Sequence, residues 1–209
     1  MVLLHGLARS DASMAGMARA LAAAGFDVAS IDYPSRDGSI GALTSYVTDQ
    51  IVERHPDREL HAVTHSLGGI IFRHLHHPRL RWQRAVMIAP PNQGSQTAAT
   101  YADRAAFGWF YGPAGRELAG SAAAWPPPPA RFAVIAGTRR RALINPTSWV
   151  SGRVFAADQD HDGTVAVDET RLDGMSGFRT VDATHTTIMN DPTVQALTIA
   201  FLREGVMPA

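Results

Sequence analysis

The stretch LHAVTHSLGGIIFR, residues 60–73, leaves this chain few ways to fold. An apolar run over 60–63 leads into Thr64-His65-Ser66-Leu67-Gly68-Gly69, and a second apolar run, Ile70-Ile71-Phe72, follows at once. That order predicts a strand, a sharp turn and a helix, with a serine at the tip. It matches the pattern G-x-S-x-G, in which such a turn lifts a serine hydroxyl above the ends of a parallel sheet. Thr64 stands where the pattern has its first glycine, so crowding between strand and helix is expected there. The plainer reading is a buried serine at a helix N-cap. A serine hydroxyl is a poor nucleophile at neutral pH, and the first reading therefore requires a base and an orienting acid elsewhere in the chain.

Apolar and amphipathic runs alternate on both sides of this stretch. Strands are predicted at 2–4, 26–31, 60–63, 85–89, 132–136 and 178–183, those at 2–4 and 85–89 buried. A helix is predicted to end near Ala24, capped by Asp11 or Ser13 and stopped by Gly25. A second covers 40–54 and offers Leu43, Tyr46, Val47 and Ile51 to the core, and a last one covers 192–203 with Val194, Leu197, Ile199, Phe201 and Leu202. The alternation predicts one α/β domain over 1–209, with a mostly parallel sheet, helices on both faces and right-handed crossovers.

Residues 92–130 are too long for an ordinary connection between strands, and we read them as an inserted cap or lid. They hold an alanine-rich run, then Phe107, Trp109, Phe110 and Tyr111, then Trp125 and four prolines at 126–129. One or two short helices followed by a stiff proline connector are expected. Phe107, Trp109 and Phe110 are candidates to wall a substrate pocket, against the plainer possibility that they are core. Arg139-Arg140-Arg141 reads as a solvated face.

Ligands of parallel sheets bind beyond the C-terminal ends of the strands. His5, Ser66, Pro90, Gly137, Asp162 and His185 all fall at such ends. Of the nine histidines, His185 has the right position for a base, just past the last strand and before the closing helix. His65 adjoins Ser66 in sequence, but adjacent side chains diverge at such a turn. The acid belongs between serine and histidine in chain order. Asp158, Asp160, Asp162 and Asp168 qualify; Asp162, which opens the turn Asp162-Gly163-Thr164-Val165, is preferred, with Asp160 second. Two backbone donors are required for an oxyanion. Leu67, after the serine, and Leu7, in the loop after the first strand, are the candidates.

The same acidic loop carries a rival pattern. Asp158, Asp160, Asp162, Gly163 and Glu169 follow the spacing of a calcium-binding EF-hand loop. That loop needs a helix on each side, which Gly152 and Gly174 argue against, and an Asp162 bound to calcium could not also orient His185. No metal and no cofactor are therefore expected. There is no G-x-G-x-x-G and no P-loop lysine after the first strand, so a nucleotide site is not indicated.

Composition narrows the classes further. With 19 basic and 19 acidic residues in 209, the formal net charge is zero, so nothing points to a nucleic-acid partner or a polybasic membrane anchor. The chain has no cysteine, which removes disulfides and thiol chemistry. No apolar run is long enough for stable membrane insertion. The start, MVLLHG, shows no signal peptide, the pattern of a cytoplasmic chain and equally of a processed secreted one. The sequence is silent on oligomeric state.

Taken together, Leu3-Leu4-His5-Gly6, Thr64-His65-Ser66-Leu67-Gly68-Gly69, residues 90–95 (PPNQGS), Asp162-Gly163-Thr164-Val165 and the threonine-flanked His185 resemble the α/β-hydrolase superfamily, especially its small bacterial lipases and esterases. The resemblance implies a minimal α/β-hydrolase fold of about six strands, since the strands that usually precede the His-Gly strand are missing, and it puts strand 26–31 at an edge. It further implies Ser66 as nucleophile, His185 as base, Asp162 as acid, and Leu7 and Leu67 as oxyanion donors. The activity it implies is cleavage of a small-molecule ester or lipid through an acyl-enzyme. Thioester hydrolysis or acyl transfer would use the same groups, and a non-catalytic binder on the same scaffold is the alternative of another class.

Overall fold

A computed structural model of the chain describes residues 1–120, 122–140 and 152–208. Arg141, Asn145 and Pro146 lie outside the described residues. Among these residues six strands form one parallel sheet: β1 (Val2–Leu4), β2 (Ala29–Ile31), β3 (Glu59–His65), β4 (Arg81–Ile88), β5 (Arg131–Gly137) and β6 (Phe178–Val181). Their order is β2-β1-β3-β4-β5-β6. The chain therefore winds outward from β1 to β2, returns across β1, and winds the other way from β3 onward. The reversal puts a crevice at the C-terminal ends of β1 and β3, where α/β sheets receive their ligands. Among the described residues seven α-helices accompany the sheet: α1 (Ala15–Ala23), α2 (Ile40–Arg54), α3 (Leu67–His74), α4 (Gln96–Tyr101), α5 (Ala105–Glu117), α6 (Val167–Thr170) and α7 (Pro192–Glu204).

The period-two alternation of the strands divides the core in two. Val2, Leu4, Met87, Phe132 and Val134 face α2 and α3, meeting Leu43, Val47, Ile51, Ile70 and Phe72. Leu3, Val63, Val86, Ile88 and Ile135 face the opposite way, against Met17 and Leu21 of α1 and Val194, Phe201 and Leu202 of α7. The central strands are buried on both faces along their C-terminal halves, which explains the continuous apolar character of Val2–Leu4 and of residues 85–88 and 132–136, while the edge strands β2 and β6 are only partly buried.

Several expectations need correction. The strand foreseen at 26–31 is paired only over Ala29–Ile31, because its one neighbour, β1, offers just Val2–Leu4. It is the edge strand, as expected. Neither Asp11 nor Ser13 caps α1: a 3₁₀ turn, Asp11–Met14, intervenes, and the Ser13 hydroxyl donates to the Ser10 carbonyl instead. Tyr46 is half exposed, while Ser39 caps α2 by accepting the Ala42 amide.

Within residues 92–130 lie α4, α5 and the 3₁₀ turn Ala122–Ala124. α5 is two helical pieces joined at Gly112, where the backbone leaves helical geometry before Pro113. The buried Arg73, in the last turn of α3, holds both roots of this segment. Its guanidinium donates to the carbonyls of Asn92 at 2.8 Å, Trp125 at 2.8 Å and Pro126 at 2.7 Å.

Candidate active site

Ser66 occupies the tight turn between β3 and α3, with φ 52° and ψ −122°. A non-glycine residue rarely adopts that conformation, and the neighbouring structure has to hold it there. The Ser66 amide donates to the Ile88 carbonyl, which ties the turn to β4. Helix α3 lies close against the sheet: a Cβ at Gly68 would sit 2.6 Å from the Leu4 carbonyl oxygen, and one at Gly69 would sit 2.9 Å from Cβ of Pro90 and 3.3 Å from Oγ1 of Thr64. The second glycine thus makes room for the threonine, and the expected crowding does not arise.

The structure brings Ser66, His185 and Asp162 together. His185 Nε2 lies 3.0 Å from Ser66 Oγ, and His185 Nδ1 lies 2.7 Å from Asp162 Oδ2. The bond to the carboxylate assigns the proton to Nδ1, so that Nε2 accepts from the serine hydroxyl. Asp162 is itself fixed by its Asp-Gly turn. Its Oδ1 accepts the amides of Thr164 at 3.0 Å and Val165 at 2.8 Å, and its carbonyl accepts the His185 amide at 3.0 Å. All three side chains are buried.

Rival acids point elsewhere. Asp160 pairs with Arg140 at 3.7 Å and Asp168 with Arg171 at 3.7 Å, both largely exposed. The calcium-loop pattern does not close around a centre: Glu169 accepts the amides of Gln96 and Ala166, and Asp162 is turned to His185. Residues 152–166 contain no helix, and among the described residues no three His, Asp or Glu side chains converge as a metal site.

His65, set aside in the sequence reading, belongs to the site: it lines the same cavity as Ser66, and its ring centroid lies 4.8 Å from that of His185. Fully buried, its Nε2 donates to the His185 carbonyl at 3.0 Å. Burial, and next the His185 charge, hold this imidazole well below its ordinary value. A Cβ at Gly6 would lie 2.8 Å from His65 Nδ1 and 3.2 Å from Ser66 Cβ. The loop after β1 therefore passes directly over the serine turn. Among the described residues the amides of Leu7 and Leu67 have no protein acceptor.

A cavity of about 340 Å³ opens on Ser66 and His185. Leu7, Phe107, Leu118 and Val165 supply apolar wall, with Tyr101 and Tyr111 beside them. Trp109 and Phe110, expected at this wall, are not part of it. Trp109 is 79% exposed, and Phe110, 45% exposed, packs on Tyr111 and under Arg36. On a helix, residue 111 stacks on the face of residue 107 and residue 109 lies on the opposite one, while Phe110, at the flank of that face, turns towards Arg36. Tyr111, part of the aromatic cluster read from the sequence, lines the cavity, as do Arg9 and Tyr101, which carried no sequence signal beyond residue type.

A family model described as the alpha/beta hydrolase family matches residues 1–205. The chain belongs to the α/β-hydrolase family. This hydrolase resembles the mature lipase BlEst2 of Bacillus licheniformis at 22% identity and TM-score 0.74, over 97% of its own length and 89% of the lipase. It resembles phospholipase PlaB of Legionella pneumophila at 14% identity and TM-score 0.67, over 97% of its length and 55% of the phospholipase. A metagenomic carboxyl esterase, MGS0156, is 17% identical with TM-score 0.66, over 88% of this hydrolase and 64% of the esterase. At such identities the likeness is one of fold. No curated protein matches the hydrolase in sequence. Among the described residues no helix is long and apolar enough to cross a membrane.

Proposed function

We propose that the protein hydrolyses carboxylic esters through an acyl-enzyme on Ser66. The observation that carries this reading is the unbroken contact from Ser66 Oγ through His185 to Asp162 at 3.0 and 2.7 Å. Ser66 Oγ attacks the ester carbonyl carbon while its proton passes to His185 Nε2, and the carbonyl electron pair moves onto oxygen. The amides of Leu7 and Leu67 receive that oxyanion. Losing one such donor typically costs about 2.7–4 kcal/mol of transition-state stabilisation. Collapse of the intermediate breaks the bond to the alkoxy oxygen, which takes the proton from Nε2 and departs as the alcohol. Water then repeats the sequence on the acyl-enzyme and releases the acid. Asp162 holds the imidazole in the required tautomer and stabilises its cation. The cavity beside Phe107 and Tyr111 receives an apolar part of the substrate, and residues 92–130 act as its cover.

The test is Ser66→Ala. The variant is expected to retain the folded state, seen as an unchanged melting transition, and to lose turnover of p-nitrophenyl esters and labelling by a fluorophosphonate. Turnover equal to that of the unaltered protein would end the proposal.

A further inference from the structure

Among the described residues Arg9 is the one lining residue of the Ser66 cavity that carries a permanent charge. It is half-buried, and among the described residues it makes no hydrogen bond and no ion pair. The loop delivers it there by a constrained backbone. Ala8 has φ 54°, its amide donates to the buried Ser35 hydroxyl at 3.1 Å, and the residues on either side, Leu7 and Arg9, both line the cavity. Among the described residues no Asp or Glu lines the cavity. The carboxylate of Asp32, in the cleft on the far side of Arg9, is instead engaged with His5 at 3.2 Å and with the Asp11 amide. Burial lowers the guanidinium, with only the nearby Tyr111 phenol acting to raise it. A guanidinium drawn out of water is ordinarily matched by an anion, and its fork of donors fits the paired oxygens of a carboxylate or phosphate.

We propose that Arg9 binds an anionic oxyacid group, a carboxylate or a phosphate, on the ester that Ser66 cleaves. The inference rests on the ester-hydrolase reading and narrows it to charged esters. The anion lies either on the acyl chain or on the alcohol, and each position has its own substrate pair. For the acyl side, the mono-p-nitrophenyl ester of adipic acid is compared with the same ester whose free carboxylate is capped as a methyl ester. For the alcohol side, butyryl glycerol 3-phosphate is compared with monobutyrin, followed by acid release.

One pair is expected to show kcat/KM roughly ten-fold or more higher for its charged member, the scale of a hydrogen bond to a charged group. That ratio is expected to collapse towards one in Arg9→Met and to recover in part in Arg9→Lys. A ratio near one for both pairs in the unaltered protein would overturn the inference, as would a ratio that Arg9→Met leaves in place. Calorimetric binding of adipate and of glycerol 3-phosphate separates this result from the fate of the ester reading. Arg9-dependent binding of either without hydrolysis of any ester keeps the anion site and removes the esterase. Hydrolysis with no charge preference does the reverse.

Discussion

Ser66 is held at φ 52° and ψ −122°, where a side chain costs of the order of 1–3 kcal/mol. Glycine escapes most of that cost, offset by about 0.5–1 kcal/mol of extra chain entropy. Ser66→Gly is therefore expected to be more stable than Ser66→Ala by about 1 kcal/mol in urea unfolding. Equal stabilities would mean the turn is not strained. Ser66, Asp162 and His185 could be named from sequence because each sits in a short local pattern at a strand end. His65 and Arg9 could not be placed that way: the first is held by a contact with chain far away, and the second reaches the cavity only through the path of its loop. The His65 bond reaches a carbonyl 120 residues on. Trp109 and Phe110 were misplaced for a smaller reason: composition marks an aromatic cluster, but only helical phase says which members face inward.

At the level of elements, six strands could be read in order because most are apolar-rich runs set between amphipathic or turn-like segments, and the alternation left few topologies. Their lengths could not, because pairing partners set them: β1 limits β2, and β4 extends back to Arg81 to match Glu59 of β3. The fastening of residues 92–130 was also hidden. An arginine in an otherwise apolar helix gives no hint that three carbonyls await it. Arg73→Met keeps the apolar stem and strands those carbonyls of Asn92, Trp125 and Pro126. Stability is expected to fall by about 3 kcal/mol or more, with new protease cleavage near residues 92 and 126. Unchanged unfolding and proteolysis would show that packing alone holds the segment.

For the molecule as a whole, buried neutral histidines set the response to acid. Burial lowers both His5 and His65, His65 the more strongly. In the unfolded chain each binds a proton near pH 6.5. Below that pH the unfolded state holds more protons than the folded one, so stability falls as the pH drops towards the folded values. Glu169, raised by burial, works in the opposite direction. Comparing His65→Gln with the unaltered protein isolates one histidine, because glutamine can still donate to the His185 carbonyl. Between pH 7 and pH 5 the unaltered protein is expected to lose up to about 2 kcal/mol more than the variant. Parallel losses would mean that His65 does not govern the acid response. The single guanidinium of Arg73 gives the molecule one more property. Because it binds carbonyls on both sides of α4–α5, a change in the length of the span between them is expected to cost little, since closure entropy grows only slowly with length. Relatives or designs could lengthen, shorten or replace that span to suit new substrates while the sheet beneath stays as it is.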